Sequence, residues 1–257
     1  MYRRRGYKKD INHSEEAKDS GEGRRGRRGG RGRGGRGGNK RGRLTHFVAI
    51  PVEDETVVTN LVQLQDKLLE EYADVLYPGW KMPPGRLHFT LFVMSLIEEE
   101  KIAEAMETLN QLQPKLKEMI EETKFELDLD GISAFTGKDG GSTRVLFAKL
   151  KKDENLTLLE KIADTIIKGF IEDGVLKESD LDFQKLNADT GMYELNFHLT
   201  LFNVKYEKVK DVYFFNAADI LENHKDDGCG TFTPNKVTMF KMKTRDGCYE
   251  IEHDIEI

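Results

Sequence analysis

Two pentapeptides constrain this chain more than anything else in it. "LHFTL" occupies 87–91 and "FHLTL" occupies 197–201. In a β-strand successive side chains point to opposite faces, so residues two apart share a face. Read as strands, both segments put a histidine and a threonine on the same side, His88 with Thr90 and His198 with Thr200. Leu87, Phe89, Leu91 and Val93 take the other face of the first strand, and Phe197, Leu199 and Leu201 that of the second. Such a strand lays its apolar side on a core and turns imidazole and hydroxyl away from it. One copy is an ordinary strand with a polar stripe. Two copies with matched flanks predict two lobes whose His-Thr faces meet across one cleft.

The surrounding pattern supports two lobes. "HFVAIPV" (46–52) reads as a short strand, and apolar spacing predicts a helix over 54–76. "YPGWKMPPG" (77–85) is a loop by its proline and glycine content, followed by the strand 86–94. A second helix is expected over 98–122, with Pro114 as a kink point. Strands 124–135 and 143–150 flank a glycine-rich turn at 137–142. The second half repeats the order, with a helix over 154–172, a long loop, a strand over 192–204 and a short helix at 214–224. "NKVTMFKMKT" and "CYEIEHDIEI" close the chain as a hairpin around "RDG". The expected fold is α+β and bilobal, two similar lobes of antiparallel sheet plus helices around a central cleft.

Charge divides the 257 residues sharply. Residues 1–43 carry 16 Lys/Arg against 5 Asp/Glu, a net +11, and leave 24 against 41, a net −17, for 44–257. The first segment also holds 12 of the 24 glycines and almost no large apolar residues. It buries too little surface to offset its ordering entropy and is read as a disordered arm, with 44–257 as the folded domain. Its core, "RRGRRGGRGRGGRGGNKRGR" (24–43), combines flexible glycines with arginines that fork onto phosphate and stack on bases. Such tracts bind single-stranded nucleic acid with little sequence preference. No apolar run approaches the roughly 18–20 residues needed to span a bilayer, and no membrane partner is expected. Cys229 and Cys248 are too few for a disulfide framework and fit a reducing compartment, nuclear or cytoplasmic.

The paired motif suits a phosphodiester. A neutral imidazole can take a proton from the attacking oxygen while a protonated one gives a proton to the leaving oxygen. An unperturbed pKa of about 6.5 makes both forms accessible near neutrality. The hydroxyls of Thr90 and Thr200 can donate to the non-bridging oxygens. Neither a metal nor a cofactor is required. Phe92 and Phe202, four positions beyond each histidine, fall on the same face by strict alternation; they either stack on a base or floor the cleft and fill the interface between the lobes. Arg86, Lys81 and Lys149 are candidates for local positive charge. The remaining histidines lack a threonine partner: His13 lies in the arm, His46 at a strand start, and His224 and His253 in charged segments expected to be exposed. The sequence holds no HExxH, paired CxxC or P-loop.

On "LHFTLFVM" and "FHLTLFNV" the chain resembles the 2H phosphoesterase superfamily, which is named for two His-x-Ser/Thr motifs. "HFVAIPV", "LDLDGISAF" and "KVTMFKMKTRDGCYEIEHDI" extend the likeness to the central domain of the A-kinase anchoring protein 7 (or 18) family and its RNA-ligase-like relatives. The resemblance covers most of residues 46–255. It implies a pseudo-two-fold fold with a nucleotide-binding cleft. It also implies metal-independent phosphodiesterase chemistry on 2′,5′-linked oligoadenylate or on RNA-type 2′ or 3′ phosphate ends. Carried over by position, His88 and His198 are the catalytic pair, and Thr90 and Thr200 bind the phosphate. No further amphipathic helix follows the closing hairpin, so docking of a kinase regulatory subunit is not expected. Two rival readings remain at this point: a non-catalytic nucleotide-binding module, and an RNA-binding adaptor acting through the Arg-Gly arm.

Overall fold

The computed structural model describes residues 43–257 other than 122, 139, 182 and 183. The Arg-Gly arm and its expected disorder lie outside the described residues. The chain runs β1 (His46–Pro51), α1 (Glu55–Glu71), β2 (His88–Met94), α2 (Glu99–Glu121), β3 (Leu127–Ala134), β4 (Ser142–Thr143) and β5 (Val145–Leu150). It continues with α3 (Glu154–Glu172), β6 (Lys185–Leu186), β7 (Tyr193–Glu194), β8 (Leu199–Asn203), β9 (Phe215–Asn216), α4 (Ala218–His224), β10 (Gly230–Phe232), β11 (Lys236–Arg245) and β12 (Cys248–Glu256). Two four-stranded sheets carry the fold, ordered β12-β11-β1-β2 and β10-β3-β5-β8. Every pairing within them is antiparallel. β2, which carries His88, and β8, which His198 immediately precedes, are edge strands of their sheets, and they approach each other.

The lobes do not follow the two halves of the sequence. The β3/β5 hairpin pairs with β8 rather than with β2, while the closing β11/β12 hairpin joins β1. The helices are exchanged as well. Asp54 caps α1 by accepting from the Val57 amide at 2.9 Å, and Val57, Leu61, Leu64 and Leu68 form its buried stripe. This helix follows β1 of the first sheet but packs beside β10 of the second, where Asn60 Nδ2 donates to the Cys229 carbonyl. Asp153 caps α3, accepting from the Asn155 and Leu156 amides. That helix follows β5 of the second sheet, yet it packs on α2 and sets Phe170 edge-on against Phe92 of β2. α2 continues through Pro114 from Glu99 to Glu121 and lies against β12.

Both motif strands break their alternation at the same place. β1 pairs Val48 with Phe92 and Ala49 with Thr90, so Leu91 has no partner opposite it. β5 pairs Leu146 with Phe202 and Phe147 with Thr200, and Leu201 is skipped. Each is a β-bulge three residues past the histidine, and an extra residue reverses the parity of everything after it. Leu91 and Phe92 are therefore both buried, as are Leu201 and Phe202, and Val93 and Asn203 are half-buried instead. The carbonyl freed at each bulge is held by a glutamine. Gln184 Nε2 donates to Leu91 O at 2.8 Å, while Gln65 Nε2 of α1 donates to Leu201 O at 2.9 Å and to Met82 O at 3.0 Å.

Two expectations are corrected. The strand expected over 192–204 is interrupted: residues 195–198 are extended coil, and His198 immediately precedes β8. His224 is buried, not exposed; its Nδ1 meets Asp227 at 2.9 Å and its Nε2 lies 2.8 Å from Glu71, so α4 is tied to α1 through an ion-pair cluster. His46 is also buried, between Thr45 and Glu252.

Replacing the fully buried Gln65 by Leu leaves the Met82 carbonyl without a donor. It is expected to cost about 1–3 kcal/mol, read as a lowered urea midpoint at unchanged slope. An unshifted midpoint contradicts this role.

Candidate active site

His88 opens β2, and its ring is fixed from both nitrogens. Nδ1 lies 2.6 Å from the Arg86 carbonyl, and Nε2 lies 3.0 Å from Thr90 Oγ1. A carbonyl only accepts, so Nδ1 carries the proton and Nε2 of the neutral ring is the acceptor, taking the Thr90 hydroxyl proton. Aromatic rings surround it: Phe47 lies at 5.0 Å between centroids, and Tyr249 meets it edge-on at 5.6 Å. Burial among these rings disfavours the imidazolium and pushes the His88 pKa down to about 4, against the opposing effect of the Arg86 carbonyl. Charge on His198 depresses it further, so the two imidazoles share one electrostatic environment.

His198 repeats the arrangement. Its Nδ1 lies 2.9 Å from the carbonyl of Asn196, again two residues earlier. Phe135 meets the ring edge-on at 4.9 Å and Phe147 at 5.6 Å. Desolvation lowers its pKa as well, opposed by the Asn196 carbonyl. Thr200 makes no hydrogen bond to His198 among the described residues. In both copies, then, a backbone carbonyl two residues back selects the tautomer and leaves Nε2 as the acceptor, held by the Thr90 hydroxyl in His88. Tethering of this kind is what keeps a catalytic imidazole from rotating.

The face that carries His88 and Thr90 opens into a small cavity of about 220 Å³, lined also by Phe47, Val93, Met242 and Tyr249. A second cavity of about 400 Å³ adjoins His88 on the side of Arg86, Phe240, Tyr249 and Ile251. Arg86 is anchored there, its Nε donating to Gly247 O at 2.8 Å and its guanidinium lying over the Tyr249 ring. Tyr206 stands close to the same pair: burial raises its pKa, Tyr249 adds to the rise and Arg86 opposes it. Lys81, the second expected cation, is engaged by Asp66. Lys149 is half-buried on β5. Among the described residues no three His, Cys, Asp or Glu side chains gather as a metal site.

Phe92 and Phe202 do not reach the cleft. Both are 0% exposed, Phe92 against Phe170, because the bulges at Leu91 and Leu201 rotate them into the core. Assigning them to base stacking is therefore corrected. The rings that do touch the histidines, Phe47, Tyr249, Phe135 and Phe147, come from other strands. Only pairing over long sequence distances brings them in, and no local spacing announces it.

Imidazole ¹⁵N spectra are expected to show both rings as Nδ1–H tautomers at pH 7, with His88 titrating near 4 and His198 below 6.5. Replacing His198 by Asn removes a like charge, so the His88 pKa is expected to rise. An Nε2–H tautomer at His88, or a pKa at or above 6.5, contradicts the geometry.

The solved structure of TT0787 from Thermus thermophilus superimposes with a TM-score of 0.51 at 19% identity, over 82% of this chain and 97% of that one. Escherichia coli LigT, crystallised with NADP+, gives a TM-score of 0.45 at 16% identity, over 83% and 98%. Human A-kinase anchor protein 7 isoform gamma is 26% identical over 131 residues, which is 51% of this chain and 35% of that protein. The match thus spans about a third of that relative's length. The model of the AKAP7 2′5′ RNA ligase-like domain matches residues 44–257, from just before β1 to the end of the closing hairpin. With both sheets and both motif strands inside that match, the chain belongs to the AKAP7 2′5′ RNA ligase-like domain family.

Proposed function

We propose that this chain is a metal-independent phosphodiesterase acting on RNA or oligonucleotides, with 2′,5′-linked oligoadenylate and 2′ or 3′ cyclic-phosphate ends as its substrate types. The observation that carries this reading is the pair of imidazoles, each tethered at Nδ1 by a carbonyl two residues back and each followed two residues later by a threonine. A phosphodiester between them meets a base on one side and an acid on the other.

The lower pKa of His88 favours it as the base. Its Nε2 takes the proton of the attacking hydroxyl or water as the new O–P bond forms. His198, protonated, delivers the Nε2 proton to the leaving oxygen as the old P–O bond breaks. One proton has then passed from the attacking to the leaving oxygen, and the two rings have exchanged protonation states. Thr90 leaves His88 Nε2 and donates, with Thr200, to the non-bridging oxygens, where negative charge grows. The anionic phosphate also stabilises imidazolium, offsetting part of the desolvation that lowers both pKa values in the free protein. Residues 24–43 add sequence-tolerant contacts to single-stranded nucleic acid and raise its local concentration around a domain of net −17.

Turnover of 2′,5′- and 3′,5′-linked oligoadenylates and of cyclic-phosphate ends, in excess EDTA, tests this reading. His88→Asn and His198→Asn are each expected to lower kcat by about 10²–10⁴-fold, and EDTA to change nothing. The free protein's kcat/KM is expected to be bell-shaped in pH. Activity rises with pH through about 4, as His88 loses its proton. It falls again through a second pKa that lies below 6.5, as His198 loses its own. A residual rate in His88→Asn that keeps the acidic limb reverses the assignment of base and acid. Nucleotide binding with no turnover of any substrate leaves a binding module and sinks the enzyme.

A further inference from the structure

Beyond His198 the surface opens into a hollow of about 480 Å³ that the two-histidine reading does not use. Its lining includes Phe135, Lys138, Arg144, Lys205 and Phe214. The two phenylalanines are 42% and 53% exposed, a costly way to leave apolar rings unless something covers them. The Arg144 guanidinium lies over the Phe214 ring, 4.3 Å from its centroid, and holds that ring in place from one face. Lys138, Arg144 and Lys205 are exposed, and none forms an ion pair among the described residues. Among the described residues no Asp or Glu lines the hollow, although 44–257 holds 41 acidic residues against 24 basic ones.

The hollow lies beside His198 through one shared residue. Phe135 lines it and also touches the His198 ring. Its floor is the β5–β8 ladder that carries Thr200: Val145 pairs with Asn203, and the Val204 amide donates to the Arg144 carbonyl at 3.1 Å. Ring faces spaced among unpaired cations are the combination that holds single-stranded nucleic acid, bases on the rings and phosphates on the cations. An acidic peptide would satisfy the cations and leave both rings uncovered.

We infer that this hollow is a second nucleotide subsite, so that the protein takes single-stranded substrates of two or more nucleotides in preference to mononucleotides. The next nucleotide beyond the scissile phosphate lies over Phe135 and Phe214, with its phosphate against Lys138, Arg144 and Lys205. The inference deepens the phosphodiesterase reading and rests on it for the position of the scissile bond.

The test uses the full chain throughout, so that any contribution of the Arg-Gly arm is common to every variant. Phe214→Ala and the double charge reversal Lys138→Glu/Lys205→Glu are expected to lower kcat/KM for a 2′,5′-linked triadenylate by about tenfold or more. Turnover of a nucleoside 2′,3′-cyclic monophosphate is expected to stay unchanged. Phe214→Tyr is expected to restore the triadenylate rate. An equal loss on both substrates, or no loss on either, overturns the subsite. A loss from charge reversal with none from Phe214→Ala also overturns it, leaving a general anion-attracting surface. If no substrate turns over, the phosphodiesterase reading fails by itself. The subsite is then judged by triadenylate binding to the same variants, where a tenfold weakening in Phe214→Ala supports it and unchanged affinity overturns it.

Discussion

One inserted residue in each motif strand governs the rest of the molecule. Without the bulge at Leu91, strict alternation would carry Phe92 onto the face of His88 and Thr90 and take a large ring out of the core. With it, two consecutive side chains turn inward, and the strand gains a broad anchor directly behind its polar face. The same device at Leu201 anchors Phe202. Fully burying such rings is worth about 1.5–3 kcal/mol each, enough to fix a strand that would otherwise be a free edge. The Leu91 carbonyl is held by Gln184, and the Leu201 carbonyl by Gln65 together with the Met82 amide, so each bulge is held from outside its sheet.

The electrostatics of the cleft follow from this anchoring. Because the anchors hold β2 and β8 against the core, each histidine at a strand start sits among rings from neighbouring strands. Those rings strip water from the imidazoles and lower both pKa values, while the carbonyls of Arg86 and Asn196 pull the other way. For both residues desolvation is the larger effect. The resting state therefore holds two neutral rings with matched tautomers.

Much of the architecture is legible in the sequence. Apart from 192–204, where 195–198 are extended coil, the period-2 segments and the 3.6-period helices fall where the spacing puts them, because each must bury one face, and the α+β class follows. The approach of β2 to β8 is legible for the same reason, since neither polar face has another place to go. The bulges are not legible: "LHFTLFVM" reads as unbroken alternation followed by apolar residues, and both parities bury something apolar. Nor is lobe membership, because the β3/β5 hairpin carries no local mark that sends it to β8. His224 sits in a charged stretch that reads as surface. It is buried with Asp227 hydrogen-bonded to its Nδ1 and the Glu71 carboxylate beside its Nε2, partners that come from other elements.

The exchange of helices between the sheets has a consequence for how the chain assembles. α1 leaves the first sheet to back the second, and α3 leaves the second to back the first. A fragment cut between α2 and β3 would hold β1 and β2 with a helix meant for the other lobe, and would leave Phe92 without Phe170. Neither half carries a complete core. The lobes are thus interlocked rather than hinged, and the cleft between them comes into being only when the whole domain closes on itself.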